Sequence, residues 1–189
     1  MMSLRESKVR WMNGQTYLHE FYIDEQREGE RKIWHANGQL DTHEFYKNGE
    51  RNGERKEWYE NGQMYQHSFY QNGKREGECK TWRLNGQPDE HEFYRRDKLE
   101  GKKRCWYKNG KIQEQSFYQN GHPNGECKIW SPYSSHLESN TYIRDGIIKD
   151  FKFTSSKRRV FLNIRKNLQK GTLLSIYETG LISDLSRII

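Results

Sequence analysis

Four histidines, His19, His43, His67 and His91, recur every 24 residues, and Lys32, Lys56, Lys80, Arg104 and Lys128 recur at the same interval. Imidazole at a fixed spacing invites a metal site or a pH switch. Cys79, Cys105 and Cys127 add thiols, and Ser135-His136 sets a hydroxyl beside a base. None of these completes a catalytic motif. The cysteines are an odd count without CxxC spacing, which indicates neither a disulfide framework nor a zinc site. There is no HExxH, no Gly-rich phosphate loop, and no Ser or Cys nucleophile with a recognisable partner. Ser135-His136 is a lone adjacency that reads as loop.

The elements that carry these residues are repeats. Tryptophan falls at Trp11, Trp34, Trp58, Trp82, Trp106 and Trp130, with gaps of 23, 24, 24, 24 and 24. Phe-Tyr follows in register from Phe21-Tyr22 through Phe45, Phe69, Phe93 and Phe117, with Thr141-Tyr142 as a worn sixth copy. Asn-Gly follows most tryptophans, placing Gly38, Gly62, Gly86 and Gly110, and a second Asn-Gly follows the Phe-Tyr pair at Asn48, Asn72 and Asn120. A Gly-Glu step comes next at Gly29, Gly53, Gly77 and Gly125. Asn-Gly supplies the positive φ angles of tight hairpin turns, and the aromatic-rich segments between them suit short antiparallel strands. The expected fold is mainly β: an elongated antiparallel hairpin meander of about six 24-residue units over 1–149, advancing roughly 9–10 Å per repeat. The repeated Trp, Phe and Gly residues are its structural positions.

Reading Asn61-Gly62 as a two-residue loop pairs Trp58 with Tyr65, Lys56 with His67 and Glu54 with Phe69, so these residues share a face. A one-residue bulge would break that register. Equivalent histidines then stand roughly 9–10 Å apart, too far to share one zinc, so no metal is expected. Cys79 and Cys127, two repeats apart, stand roughly 19 Å apart, beyond disulfide reach. The aromatic ladders pack on one another along the sheet; the other reading makes them a binding surface. Repetition argues against an enzyme, because an active site needs unlike residues converging at one place.

The consensus Tyr-x-Asn-Gly-x-x-x-Gly-Glu-x-x-x-Trp-x-x-Asn-Gly-Gln resembles the MORN repeat, in the variant of YwqK-like proteins known as antitoxin components, over about 9–149. The chain also resembles the MORN-repeat proteins of marseillevirus-like giant viruses, including a C-terminal segment ending Leu181-Ile182-Ser183-Asp184-Leu185. Three places depart from the pattern: Asp24-Glu25, Arg96-Asp97 followed by Gly101-Lys102, and the stretch Ser131 to Ser135. Six duplicated hairpins, no catalytic constellation and open sheet edges that can template pairing with another strand point to a non-enzymatic MORN-type scaffold, with no cofactor expected. The resemblance lends support to membrane association and, through the YwqK-like variant alone, to toxin neutralisation.

Charge separates the C-terminal segment from the repeats. The 189 residues carry a formal net charge of +7, yet 1–148 hold 24 basic against 23 acidic residues while 149–170 hold eight basic against one acid. Ser155-Ser156 caps an expected helix over 157–170 with apolar Val160, Phe161, Ile164 and Leu168, ended by Gly171. This second unit, 150–189, is a basic amphipathic helix followed by an apolar tail. Lys157, Arg158, Arg159, Arg165 and Lys166 are the candidate contacts for an anionic partner, or the helix caps the repeat sheet. The near-neutral array argues against nucleic acid. With no signal sequence or membrane span expected, the expected location is cytoplasmic, in a host cell or virion if the viral resemblance holds. The expected role is a scaffold for another protein or for self-association. A membrane-surface adaptor acting through 150–170 is the alternative.

Overall fold

The computed structural model describes residues 3–134, 136–144 and 147–153. Every element in it is a strand, and all sixteen form one antiparallel sheet. Six strands open the sheet: β1 (Arg5–Arg10), β2 (Thr16–Ile23), β3 (Gln26–Arg27), β4 (Gly29–Trp34), β5 (Leu40–Lys47) and β6 (Glu50–Trp58). Next come β7 (Met64–Gln71), β8 (Lys74–Trp82), β9 (Pro88–Arg95), β10 (Lys98–Leu99) and β11 (Gly101–Trp106). The last five are β12 (Ile112–Gln119), β13 (His122–Pro123), β14 (Gly125–Trp130), β15 (Leu137–Arg144) and β16 (Ile147–Phe153). The path is a meander in chain order, with β3, β10 and β13 as short beginnings of the strands that follow them. The sheet thus continues past residue 149. The expected helix over 157–170, with Lys157, Arg158, Arg159, Arg165 and Lys166, lies outside the described residues.

Two different turns alternate. After each Phe-Tyr pair the loop has positive φ at both central residues, as at Asn48 (51°) and Gly49 (79°), the type I′ geometry of a two-residue hairpin. Asp24-Glu25 and Arg96-Asp97 adopt the same turn without glycine, Glu25 at 63° and Asp97 at 66°. The neighbouring hairpins therefore impose this conformation even where the local sequence resists it.

After Trp11, Trp34, Trp58, Trp82 and Trp106 only the glycine has positive φ. Gly62 N donates to Tyr59 O (2.8 Å) and Tyr59 N to Gln63 O (2.8 Å), closing a three-residue loop with a left-handed glycine. The two-residue reading of Asn61-Gly62 is therefore corrected. Lys56 pairs with His67 and Glu54 with Phe69, but Trp58 pairs with Met64 and Tyr65 is the extra residue of a bulge. A second irregularity falls at the Gly-Glu step. Between the Glu44–Arg55 and Tyr46–Arg51 pairs, Asn52, Gly53 and Glu54 stand opposite Phe45 alone. Gly53 sits there at φ 118°, and a Cβ on it would lie 3.4 Å from Phe45 Cβ.

Among the described residues the sheet is a single layer, so its core is a row rather than an interior. Buried positions run across the strands on one face: Glu20, Glu44, Ser68, Cys79, Glu92, Ser116, Cys127 and Thr141. Tyr46 on the same face is buried beside them. Most members of this row are polar or charged, and burying such groups is costly unless they find partners; Ser68 Oγ, fully buried, makes no hydrogen bond.

Candidate functional site

The face bearing phenylalanine carries the recurring His and Lys residues, each gathered around a carboxylate. Glu30 lies 2.8 Å from Lys32 Nζ and 2.8 Å from His43 Nε2. Glu54 repeats this with Lys56 (2.7 Å) and His67 (2.8 Å), and Glu78 with Lys80 (2.9 Å) and His91 (2.8 Å). Glu6 does the same with Lys8 and His19. Each imidazole also tilts against the phenylalanine two residues on, as His67 does against Phe69 with centroids 4.9 Å apart. Hydrogen bonds from the lysines, with the histidines adding to them, hold Glu30, Glu54 and Glu78 below the ordinary carboxylate range. Each histidine is thus bound within its own rung. Among the described residues no group of three or more His, Cys, Asp or Glu could hold a metal ion.

One rung departs from this pattern. Where the consensus has Glu, Lys and His, β11 and β12 present Lys102, Arg104 and Gln115. Lys102 lies over the Phe117 ring, 5.8 Å from its centroid. In the following rung Glu126 again bridges Lys128 (2.7 Å), with Asn140 (2.8 Å) in the histidine position.

The opposite face carries a buried polar network that the periodicity of Trp and Phe did not reveal. Glu44, 1% exposed, accepts from Arg31 Nη1 (2.5 Å), Arg51 Nε (2.8 Å), Arg55 Nε (3.1 Å) and Tyr46 Oη (3.1 Å). Glu20 accepts from Arg27, Arg31 and Tyr22. Burial opposes the charge of Glu44, but the bonds from Arg51 and Arg31 outweigh it and hold the carboxyl below its ordinary value. Later repeats change the pair together. The Glu44–Arg55 position becomes Ser68–Cys79, then Glu92–Lys103, then Ser116–Cys127. Acid faces base in the charged pairs, while in Ser68–Cys79 the small hydroxyl makes no hydrogen bond and the thiol sulfur accepts from Gln66 Nε2 (3.3 Å). That joint alternation at 24-residue spacing was the signal available in the sequence.

Tryptophans Trp34, Trp58, Trp82, Trp106 and Trp130 are all partly buried near the edge formed by the three-residue loops. Along this edge consecutive hairpins are stapled side by side. Asn37 Nδ2 donates to Glu60 O (2.7 Å) while Asn37 Oδ1 accepts from Gln39 N (3.0 Å). Asn61 and Asn109 reach Leu84 O and Pro132 O in the same way. One position after each tryptophan, Tyr59 and Tyr107 donate to Trp82 O and Trp130 O, and Arg83 to Trp106 O. Asparagine here serves lateral cohesion as much as turn conformation. Gly38, Gly62, Gly86 and Gly110 pack beneath the glutamine one repeat back, as Gly62 does under Gln39.

The thiols are withdrawn from chemistry. Cys79 and Cys127 are buried and Cys105 is half-buried. Burial pushes the Cys105 thiol up to about 12, with Glu90 and Glu114 adding to the rise. A shallow hollow of about 350 Å³ lies near the C-terminal end of the described sheet, lined by Glu126, Asn140, Tyr142, Asp150 and Lys152. No described helix is long and apolar enough to cross a membrane.

Residues 27–48, 51–72 and 99–120 each match the family model of the MORN repeat variant. Each matched segment covers one hairpin around a three-residue loop, and together they make up about a third of the chain. No curated protein matches the chain.

Proposed function

We propose that the chain is a non-enzymatic repeat scaffold that holds another protein. The observation that carries this reading is the phenylalanine face. From β1 to β9 it presents the same carboxylate, lysine, histidine and ring at each repeat, in register, across a continuous sheet. A surface of identical polar rungs at roughly 9–10 Å intervals suits an extended partner that meets several equivalent sites at once. MORN-type hairpins, which recur in this chain, make interaction modules. Crosslinking the full chain in its native source, followed by mass spectrometry, tests the reading. A recurrent protein partner is the expected result. A strict monomer on size exclusion that crosslinks to nothing would refute it.

A second reading rests on the eight basic residues against one acid in 149–170. They suit contact with an anionic membrane surface. Flotation with phosphatidylserine vesicles, with and without 154–189, separates the two. Retention of the full chain alone supports the adaptor, and retention of neither form ends it.

A further inference from the structure

The rung at β11 and β12 lacks the carboxylate that the others supply for themselves. At four equivalent places Glu6, Glu30, Glu54 and Glu78 each tie a lysine on their own strand to a histidine on the next. Here Lys102 replaces that glutamate, Arg104 the lysine and Gln115 the histidine. The nearest rungs offer no carboxylate in compensation, because Glu78 is engaged with Lys80 and His91, and Glu126 with Lys128 and Asn140. Arg104 pairs with His91 on one side and Gln115 on the other, so its surroundings are cationic or neutral. Its Nε is buried without a hydrogen-bond partner. Burial of Lys102, and after it the charges of Arg104 and Lys128, lower the lysine below its ordinary value.

We propose that Lys102, Arg104 and Gln115 form the docking point for an acidic side chain of an extended partner peptide. The partner's glutamate or aspartate supplies from outside the carboxylate that Glu30, Glu54 and Glu78 supply from within the chain. Arg104 and Lys102 provide charged donors to it, Gln115 a neutral one, and the Phe117 ring beneath Lys102 an apolar floor. This inference rests on the protein-binding reading above and adds the chemistry of the partner and the rung that meets it.

The repeats supply their own controls. Fluorescence anisotropy on the full chain would use a labelled peptide of alternating glutamate and threonine, with a glutamine–threonine peptide for comparison. The acidic peptide should bind and weaken as salt is raised. The variant K102E/R104K/Q115H restores the consensus rung, which the sheet already accommodates four times, and should lower affinity at least about tenfold. The converse graft, E54K/K56R/H67Q, builds a second such rung and should strengthen binding. Equal affinity of K102E/R104K/Q115H and the natural chain, or equal binding of the glutamine peptide, overturns the inference. So does capture on phosphatidylserine vesicles that K102E/R104K/Q115H abolishes while the peptide fails to bind. If native-source crosslinking captures the same protein with and without K102E/R104K/Q115H, the scaffold reading stands and this rung is not its contact. If neither form captures a protein, the scaffold reading itself fails.

Discussion

Replacing Glu44 by serine tests whether the buried charged row is held by its partners or merely accommodated. The side chain is 1% exposed and meets Arg31, Arg51 and Arg55 together with the Tyr46 hydroxyl. Removing one partner of a buried ion pair costs about 3–5 kcal/mol when the other charge is left uncompensated. Here the arginines are only partly stranded. Arg31 keeps Glu20, Arg55 keeps Glu57 and Gln66, and the Arg51 side chain is 41% exposed. That reduces the expected cost of Glu44→Ser to about 2 kcal/mol. Arg55→Cys leaves Glu44 with two arginines and should cost about 1–2 kcal/mol. The double variant E44S/R55C recreates the Ser68–Cys79 pair found one repeat later, so it should fall short of the sum by about 1 kcal/mol or more. Urea unfolding followed by tryptophan fluorescence gives all four stabilities, provided the repeats unfold together. Additive single effects, or a Glu44→Ser cost below about 0.5 kcal/mol, would refute the reasoning. The acid limb supplies an independent check. Glu44 titrates below its ordinary 4.5 in the folded chain, so its stabilisation is present above that value and lost as pH falls through the lower one. The natural chain should therefore lose more stability below about pH 4.5 than E44S/R55C does.

Three further outcomes follow from the turns, the edge and the thiols. Glu25 holds φ 63° in a type I′ turn with only an exposed contact to Arg5, so Glu25→Gly should stabilise the chain by about 1 kcal/mol in the same unfolding assay. A loss of stability would show that the turn is not strained. Asn37→Ala removes both a lateral staple to Glu60 and the bond to Gln39, and should cost about 1–2 kcal/mol; an unchanged midpoint would mean the staples add nothing in water. With Cys79 and Cys127 buried and the Cys105 thiol pushed up to about 12, iodoacetamide at about pH 8 should label the native chain slowly and the urea-unfolded chain fast; rapid native labelling would contradict the burial.

How much of this molecule its sequence displays depends on which residues a repeat spends on local conformation and which on neighbours one repeat away. The hairpins are legible because Asn48-Gly49 and its copies state a turn in two adjacent residues, and because Lys56 and His67 recur at the same 24-residue interval. The bulges are less so. A left-handed glycine serves a two-residue and a three-residue loop alike, so nothing in Asn61-Gly62 alone says that Tyr65 is the extra residue. The staple from Asn37 to Glu60 is harder still, because its acceptor is a backbone carbonyl and leaves no mark on residue type. The buried row was hidden for a different reason. Glu and Arg ordinarily mark solvent, so Glu44 and Arg55 look like surface until Ser68 and Cys79 are seen to have changed together. The same comparison isolates the candidate site. Lys102 and Arg104 are unremarkable as surface cations, and they acquire meaning only against the glutamates and lysines that hold their positions in the other repeats. In a chain built by duplication, the fold is written in what the copies share. Function specific to one rung can only be written where one copy stops agreeing with the rest.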